Sequence, residues 1–174
     1  MSKKAVFVNT GFDPSAALDV LTALGLSAGD LLILVFPETT DGPSKLRNEQ
    51  TRTQIKTHLD LLKTRGRNIR LREIELNVAD VKASLATIVD VIAEVRKAGY
   101  KVYLELTGGV RVITVLMMLI STCFANLVEE VTLISEVTQE RISLPIIPPP
   151  VLTERLVGAV LGVLANRGNV KRKE

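Results

Sequence analysis

The chain has 174 residues, of which 47% are hydrophobic and 24% charged, so it is long enough to enclose a core and too apolar to be disordered. Its net charge of +3 permits an anionic ligand but is too small to indicate a protein that wraps nucleic acid. The single cysteine, Cys123, excludes a disulfide or a thiolate metal cluster within the chain.

Two segments of the sequence are candidates for a signal peptide and for a membrane-spanning helix. Only four apolar residues separate the lysines at the start of the sequence from Asn9, which is too short for the core of a signal peptide. The segment Val112–Val128 is uncharged, but it is at the lower limit of a membrane-spanning length and contains several polar side chains. We therefore expect a cytoplasmic protein in which this segment is a buried helix.

The first predicted elements are a buried strand and a helix. Ala5–Val8 is the strand. Asp13 suits the N-cap of the helix, because a carboxylate accepts free backbone N–H groups, and Pro14 suits the first helical position. Gly25 is placed to end this helix.

A second buried strand, Leu31–Phe36, precedes a long helix that runs from about Ser44 to Arg65. The back half of this helix carries an apolar stripe. Its front half, Lys45 to Gln54, has Leu46 as its one large apolar residue, so we expect it to project into solvent or toward a ligand.

The next predicted elements are a third strand, Ile69–Leu76, and a third helix. Asn77 and Asp80 resemble a capping box at the start of that helix, and Gly99 ends it. The fourth strand is Tyr100–Leu106, whose apolar residues alternate.

A Thr-Gly-Gly turn then leads into the apolar helix, and two short strands, Val131–Ile134 and Ile142–Leu144, read as a hairpin. Strict alternation of strands and helices predicts a parallel sheet with helices on both faces. The predicted fold is therefore α/β: a Rossmann-like, doubly wound, mostly parallel sheet with a C-terminal β-hairpin and a trailing helix. The predicted domains are a ligand-binding domain, residues 1–147, and a proline linker with a C-terminal helix, residues 148–174.

Ligands of doubly wound sheets bind beyond the carboxyl ends of the strands, where the winding reverses. In the common strand order the first and fourth strands are neighbours there, so the loops Thr10–Asp13 and Thr107–Arg111 should meet, flanked by the loop from Pro37 to Lys45. Glycine N–H groups, helix N-termini and a guanidinium suit a phosphate. The alternative is that Gly108 and Gly109 only form a tight turn and that Arg111 is a solvated residue at the helix start.

The sequence lacks the two common phosphate-binding motifs of nucleotide-binding proteins. The pattern G-x-G-x-x-G does not follow the first strand, and G-x-x-x-x-G-K-[ST] does not occur, which disfavours nicotinamide binding and ATP hydrolysis. We predict no cofactor, no metal site and no catalytic residue. Cys123 is expected in the core, and His58 at the boundary of the core.

Three segments together resemble the CARF domain, the CRISPR-associated Rossmann fold. "LELTGGVRV" is similar to its fourth-strand motif, "VFVNTGFDPS" to its first-strand loop, and "LVFPETTDGPSKLRNEQTRTQIKTHLDLL" to its second-strand loop and long helix. The resemblance covers about residues 4 to 147 and is closest to archaeal transcriptional regulators that join a CARF domain to a winged helix. Two positions differ from the family pattern: Glu105 is often Asn or Asp there, and Val110 is often Thr.

The resemblance implies a homodimer that binds a cyclic oligoadenylate second messenger, cyclic tetra-adenylate first, across its two-fold axis. It implies a role in antiviral defence as a sensor coupled to transcription of CRISPR loci. Two alternatives stay open: a metal-independent ring nuclease that linearises the messenger, and a domain that binds another nucleotide. The residues expected to contact the ligand are Thr10, Gly11, Phe12, Asp13, Pro37, Glu38, Thr39, Lys45, Arg47, Thr107, Gly108, Gly109, Val110 and Arg111.

The tail after Pro150 has room for a single amphipathic helix, from Leu152 to Ala165, followed by a basic cluster. It is predicted to be the start of a truncated winged helix or a dimer arm. A helix-turn-helix needs a second, recognition helix, so DNA is expected as a partner only through a winged-helix module that is absent or truncated here.

Overall fold

The computed structural model describes residues 2–135, 137–138 and 140–147. The expected linker and helix of residues 148–174 lie outside this range. Within it, strands and helices alternate as the sequence predicts. The elements are β1 (Lys4–Asn9), α1 (Ser15–Ala23), β2 (Leu31–Pro37), α2 (Gly42–Thr64), β3 (Arg70–Leu76), α3 (Val81–Lys97), β4 (Lys101–Glu105), α4 (Arg111–Cys123), β5 (Glu130–Ile134) and β6 (Arg141–Leu144).

The strands form one sheet in the order β3-β2-β1-β4-β5-β6. β1 pairs in parallel with β2 on one side and with β4 on the other. β5 continues the parallel sheet, and β6 returns antiparallel to it. The predicted Rossmann-like fold with a C-terminal hairpin is confirmed. The winding reverses between β1 and β4, so the loops that follow these two strands are neighbours at the carboxyl edge.

Helices cover both faces of the sheet. Val6 and Val8 of β1 face the core that α1 and α2 enclose, whereas Ala5 and Phe7 face the core formed with α3 and α4. Because β1 and β2 are covered on both sides, their sequences are continuous apolar runs rather than alternating ones.

Aspartates cap two of the helices, α2 and α3, and a third aspartate lies just before α1. Asp41 N-caps α2 by accepting the backbone N–H of Ser44 at 2.8 Å, which starts this helix two residues before the predicted position. The predicted start of α1 is wrong by one residue: Pro14, not Asp13, occupies the N-cap position, and Ser15 is the first helical residue. Asp13 still accepts the backbone N–H of Ser15, at 2.9 Å, from the position before the cap.

The predicted capping box before α3 is wrong. Asp80 is itself the N-cap of this helix and accepts the N–H of Ala83 at 2.9 Å. Asn77 instead accepts the N–H of Ala79 at 3.1 Å, within the turn that precedes the helix. A capping box with Asn77 as the N-cap would start the helix at position 78, but the helix begins three residues later, at Val81. Asn77 therefore stabilises the preceding turn, and Asp80 caps the helix.

The front half of α2 also differs from the prediction. Its inward face is buried through polar side chains: Asn48 is 4% exposed and Thr51 is 2% exposed. Asn48 donates a hydrogen bond from its side-chain amide to the carbonyl of Pro37 at 3.3 Å. A polar side chain can be buried when it forms a hydrogen bond within the protein. The front half of α2 therefore packs against the domain through Asn48 and Thr51, although it has no apolar stripe.

The uncharged segment Val112–Val128 is helical only as far as Cys123, and a short 3-10 turn, Ala125–Leu127, follows. Among the described residues, no helix is both long and apolar enough to cross a membrane. Cys123 is exposed, so its expected place in the core is wrong. It falls on the side of α4 that carries Val115 and Leu119, not on the buried side. His58 is half-buried at the core boundary, as expected.

Candidate functional site

The loops after β1 and β4 touch through their glycines. A Cβ atom on Gly11 would lie 2.9 Å from the Cα atom of Gly109, closer than real Cβ contacts allow. Gly11 is buried, whereas Gly108 and Gly109 are exposed. The close approach therefore needs glycine at position 11, and it brings together the two loops that the sequence predicted would meet.

Asn9, the last residue of β1, holds the second loop in place. Its amide Nδ2, which carries two hydrogens, lies within hydrogen-bonding distance of three acceptors: the carbonyl oxygens of Gly108 and Val110, at 3.0 and 3.2 Å, and the hydroxyl oxygen of Thr114 at 2.7 Å. Its Oδ1 accepts the N–H of Val110 at 3.3 Å. Asn9 is fully buried, so these contacts satisfy an amide that would otherwise be costly at this depth.

Sequence reasoning missed this role of Asn9. The available signal was a polar residue that ends an apolar strand directly before a predicted ligand loop.

The Thr-Gly-Gly loop presents several backbone donors at one place. Gly108 and Gly109 both have positive φ, at +73° and +69°, which L side chains rarely adopt. The N–H groups of Gly108 and Gly109, and of the first two residues of α4, Arg111 and Val112, have no acceptor among the described residues. The start of α4 adds the positive end of its dipole, so these donors form a site suited to an anion.

Arg111 is the first residue of α4, and its side chain is exposed. Its guanidinium makes no hydrogen bond or ion pair within the part of the chain that the structure describes. The start of α4 therefore carries an exposed positive charge in the same residue as one of the free N–H groups.

The two loop threonines are both engaged. Thr10 is fully buried, and its hydroxyl donates to the carbonyl of Val8 at 3.1 Å. The hydroxyl of Thr107 donates to the Glu105 carboxylate and accepts the N–H of Ile134 at 2.6 Å.

Phe12 and Asp13 lie on the open side of the β1 loop. Phe12 is 43% exposed, so one side of its ring is open to solvent. The carboxylate of Asp13 is exposed. Hydrogen bonds from the hydroxyl and the N–H of Ser15 hold its pKa below the ordinary value of 3.8, so it is negatively charged at neutral pH.

The predicted ligand-contacting residues after β2 extend from the end of that strand to the first turns of α2. Pro37 is buried as the last residue of β2, Glu38 is exposed and Thr39 is half-buried. Lys45 and Arg47 are exposed on the first turns of α2. Among the described residues, no hydrogen bond or ion pair connects Lys45 or Arg47 to the loops after β1 and β4.

Glu105 is the second residue that sequence reasoning undervalued. It is fully buried at the end of β4, and its carboxylate accepts hydrogen bonds from Thr107, Thr132 and Arg141. A charged residue at the end of a buried strand was the signal in the sequence, but its partners on β5 and β6 could not be foreseen. In the described residues, no cluster of three or more His, Cys, Asp or Glu side chains is arranged to hold a metal ion.

The fold of this chain occurs in a known CRISPR-associated protein. Among solved structures, Csm6 from Enterococcus italicus, bound to cyclic hexa-2'-fluoro-hexa-dAMP, matches with a TM-score of 0.67 and 13% sequence identity. The match covers 97% of this chain and 48% of that chain, so the chain spans about half the length of Csm6. At this identity the likeness shows a shared fold. No protein with a curated function matches the sequence.

A family model settles the relationship. Residues 4–145 match the Csa3 CRISPR-associated Rossmann-like domain, which agrees with the extent of the resemblance seen in the sequence. This range includes all six strands and the two loops at the switch point. The chain belongs to the family of Csa3 CRISPR-associated Rossmann-like domains and is a CARF domain, as its sequence motifs predicted.

Proposed function

We propose that this protein is a CRISPR-associated sensor that binds a cyclic oligoadenylate, with cyclic tetra-adenylate the first candidate. The observation that carries the proposal is the set of free N–H groups at Gly108, Gly109 and the start of α4, beside the guanidinium of Arg111. Family membership and the cyclic hexanucleotide bound to the structural neighbour Csm6 support the same ligand class.

Each feature of the site suits one part of such a ligand. A phosphate would accept hydrogen bonds from the N–H groups of Gly108 and Gly109 and would pair with Arg111. An adenine would stack on the exposed ring of Phe12, as bases do on aromatic side chains. Because Asp13 is negatively charged, it would face a ribose hydroxyl or an adenine amino group and not a phosphate.

Lys45 and Arg47 fit the proposal as outer contacts. Both are exposed on the first turns of α2, whose N-terminus lies beyond the end of β2. A ring larger than a single nucleotide would extend from the Thr-Gly-Gly loop toward these cations, with Glu38 and Thr39 at its side.

The proposed sensor is a homodimer. Helix α4 carries three large apolar side chains on its solvent side: Val112 is 37% exposed, Val115 57% and Leu119 48%. Phe124, which follows the end of the helix, is 36% exposed. An exposed apolar stripe of this kind typically marks an interface. The stripe begins directly after Arg111, so pairing two copies of α4 would bring two anion sites together, and a two-fold symmetric cyclic tetranucleotide would meet two identical half-sites.

We also propose that ligand binding regulates transcription of CRISPR loci. This part depends on the earlier resemblance to regulators with a winged helix, and on residues 148–174, which would connect the CARF domain to a DNA-binding module. The sensor would act by shifting its dimer between two arrangements, which requires a ligand with different affinities for the two.

The ring-nuclease alternative is less favoured by the contacts of the loop. Linearising the ring needs a ribose 2′-hydroxyl positioned for attack and a group that assists proton transfer. The hydroxyls of Thr10 and Thr107 already donate to a carbonyl and to a carboxylate within the protein. The one histidine of the chain, His58, lies on the back half of α2, away from these loops.

One incubation tests the proposal. The purified protein is mixed with cyclic tetra-adenylate or cyclic hexa-adenylate, and chromatography then measures both the ligand that co-elutes with the protein and any linear product. We expect co-elution of an intact ring. The absence of co-elution with either ring would contradict the proposed ligand, and rapid linearisation would favour the ring nuclease.

A further inference from the structure

The carboxylate of Glu105 connects the Thr-Gly-Gly loop to the last two strands of the sheet. Its Oε1 accepts the N–H of Thr107 at 3.1 Å and also the hydroxyl of Thr107. Its Oε2 accepts the hydroxyl of Thr132 on β5 at 2.8 Å and pairs with the guanidinium of Arg141 on β6. One buried carboxylate thus holds groups from the loop and from two strands.

A second contact closes the same network. The hydroxyl of Thr107 accepts the N–H of Ile134, the last residue of β5, at 2.6 Å. Ile134 is directly opposite Arg141 in the β5–β6 ladder. Arg141 and the end of β5 are therefore connected to Thr107 through short polar contacts, and Thr107 is covalently joined to Gly108.

The burial of this network makes it sensitive to the loss of one member. Glu105 is fully buried, and the side chain of Arg141 is 22% exposed. A buried carboxylate that loses its cation is left with an uncompensated charge, and its remaining donors must rearrange. The four other ion-paired basic side chains of the described residues, Arg52, Lys56, Arg72 and Lys101, pair with glutamates that are themselves partly exposed.

We infer that Glu105 and Arg141 are positioning residues for the anion site: they hold Thr107, and through it the N–H groups of Gly108 and Gly109, and they couple occupancy of the loop to the β5–β6 pair. This inference rests on the proposed function for the identity of the ligand, but not for the positioning itself. β6 is the strand from which the chain continues toward residue 148, so the coupling connects the ligand loop to the strand that leads out of the domain.

The positioning is tested first without ligand, by amide hydrogen exchange in the full chain. Arg141→Met should speed the exchange of the Thr107 and Ile134 amides at least severalfold, because both depend on the Glu105 network. Arg72→Met is the matched control: it removes a guanidinium from the Arg72–Glu94 pair (2.9 Å) on β3, away from the loop, and should leave both amides unchanged. Arg141→Lys, which keeps the charge, should restore part of the protection.

The coupling is tested next with cyclic tetra-adenylate. Arg141→Met should weaken its affinity about threefold to thirtyfold, although this residue lies outside the ligand loops. Thr132→Val removes the hydroxyl that donates to the same carboxylate. It replaces Arg141→Met in both experiments if that variant does not fold.

Each combination of results decides one point. Unchanged exchange at Thr107 and Ile134 in the variants would overturn the positioning. Faster exchange with unchanged affinity would overturn the coupling to the ligand. Faster exchange in variants, with neither cyclic tetra-adenylate nor cyclic hexa-adenylate bound by the wild-type protein, would support the positioning and contradict the proposed ligand instead.

Discussion

Gly109 is constrained in two independent ways. Its φ of +69° is in the left-handed region, and a Cβ atom there would lie 2.0 Å from Oδ1 of Asn9. Gly66 has a similar φ of +80°, but nothing lies within 4 Å of its Cβ position. A comparison of the two glycines therefore separates the cost of a left-handed backbone, which both share, from the cost of a steric clash, which only Gly109 has.

We expect Gly66→Ala to lower the free energy of unfolding by about 1 kcal/mol, the cost of a left-handed alanine after allowance for the stiffer unfolded chain. Gly109→Ala should lower it by about 3 kcal/mol, because Asn9 must also move and give up hydrogen bonds. Chemical denaturation of both variants measures the difference. Equal losses would mean that the Asn9 contacts add nothing to the stability of this loop.

Arg111 decides between an anion site and a plain turn. Arg111→Ala should weaken the affinity for cyclic tetra-adenylate tenfold to hundredfold, because a charge-assisted contact is worth about 1.5–3 kcal/mol. The melting temperature of the free protein should not change, since the side chain is exposed and unpaired among the described residues. Arg65→Ala is the control and should keep full affinity, because Arg65 is an exposed arginine at the C-terminal end of α2. Equal affinity in both variants, measured by calorimetric titration, would favour the turn interpretation.

At this scale the sequence identified the glycines and Arg111 but not Asn9. The glycines and the basic residue form a local pattern, adjacent to one another. The bonds of Asn9 join residues about a hundred positions apart. The strand order predicts that the two loops meet, but no sequence pattern shows which side chain will bond the backbone of the other loop. Glu105 was seen only as a departure from the family pattern for the same reason.

At the scale of elements, helix α4 has two apolar faces with different roles. One face, which includes Ile113 and Ile120, is buried against the sheet, and the other carries the exposed Val112, Val115 and Leu119. A helix that is apolar all round is normally buried on all sides, so the second face needs a cover.

We expect the protein to be a dimer at micromolar concentration and Val115→Lys to convert it to a monomer, because a lysine at the centre of a helix pair cannot be desolvated cheaply. Light scattering coupled to size-exclusion chromatography measures both. Leu61→Lys is the matched control: Leu61 and Val115 are both 57% exposed, but Leu61 lies on α2. A wild-type monomer, or a dimer that survives Val115→Lys, would contradict an interface on α4.

Element type was predictable throughout the described chain, whereas element ends and some faces were not. Hydrophobic periodicity identified β1 to β6 and α1 to α4 because each covers part of one core. The starts of α2 and α3 shifted because aspartate can cap from several positions relative to a loop. The buried Asn48 and Thr51 show that polar packing leaves no apolar signal to read.

At the scale of the whole molecule, the switch point between β1 and β4 unites the two ligand loops without any sequence adjacency. This was predictable, because the common strand order of doubly wound sheets dictates it. The match of residues 4–145 to the family model agrees with that reasoning over the same span.

A sensor should be stabilised by its ligand for as long as the ligand persists. Cyclic tetra-adenylate at a hundredfold excess over its dissociation constant should add about 2.7 kcal/mol to the free energy of unfolding. For a chain of this size the melting temperature should rise on the order of 5 °C. Differential scanning fluorimetry at intervals over several hours checks whether the rise persists. A shift that decays within minutes while linear adenylates accumulate would move the protein to the ring nucleases.

The antiparallel course of β6 has a practical consequence for engineering. Because β6 runs antiparallel to β5, its direction at Leu144 is away from the Thr-Gly-Gly loop and toward the amino edge of the sheet, where β1 starts at Lys4. The domain can therefore be spliced into a surface loop of a reporter enzyme through both of its ends, with its nucleotide-facing loops still open to solution. A chimera built at these two junctions would place the messenger on one side of the insert and the reporter on the other, so that any signal must cross the sheet.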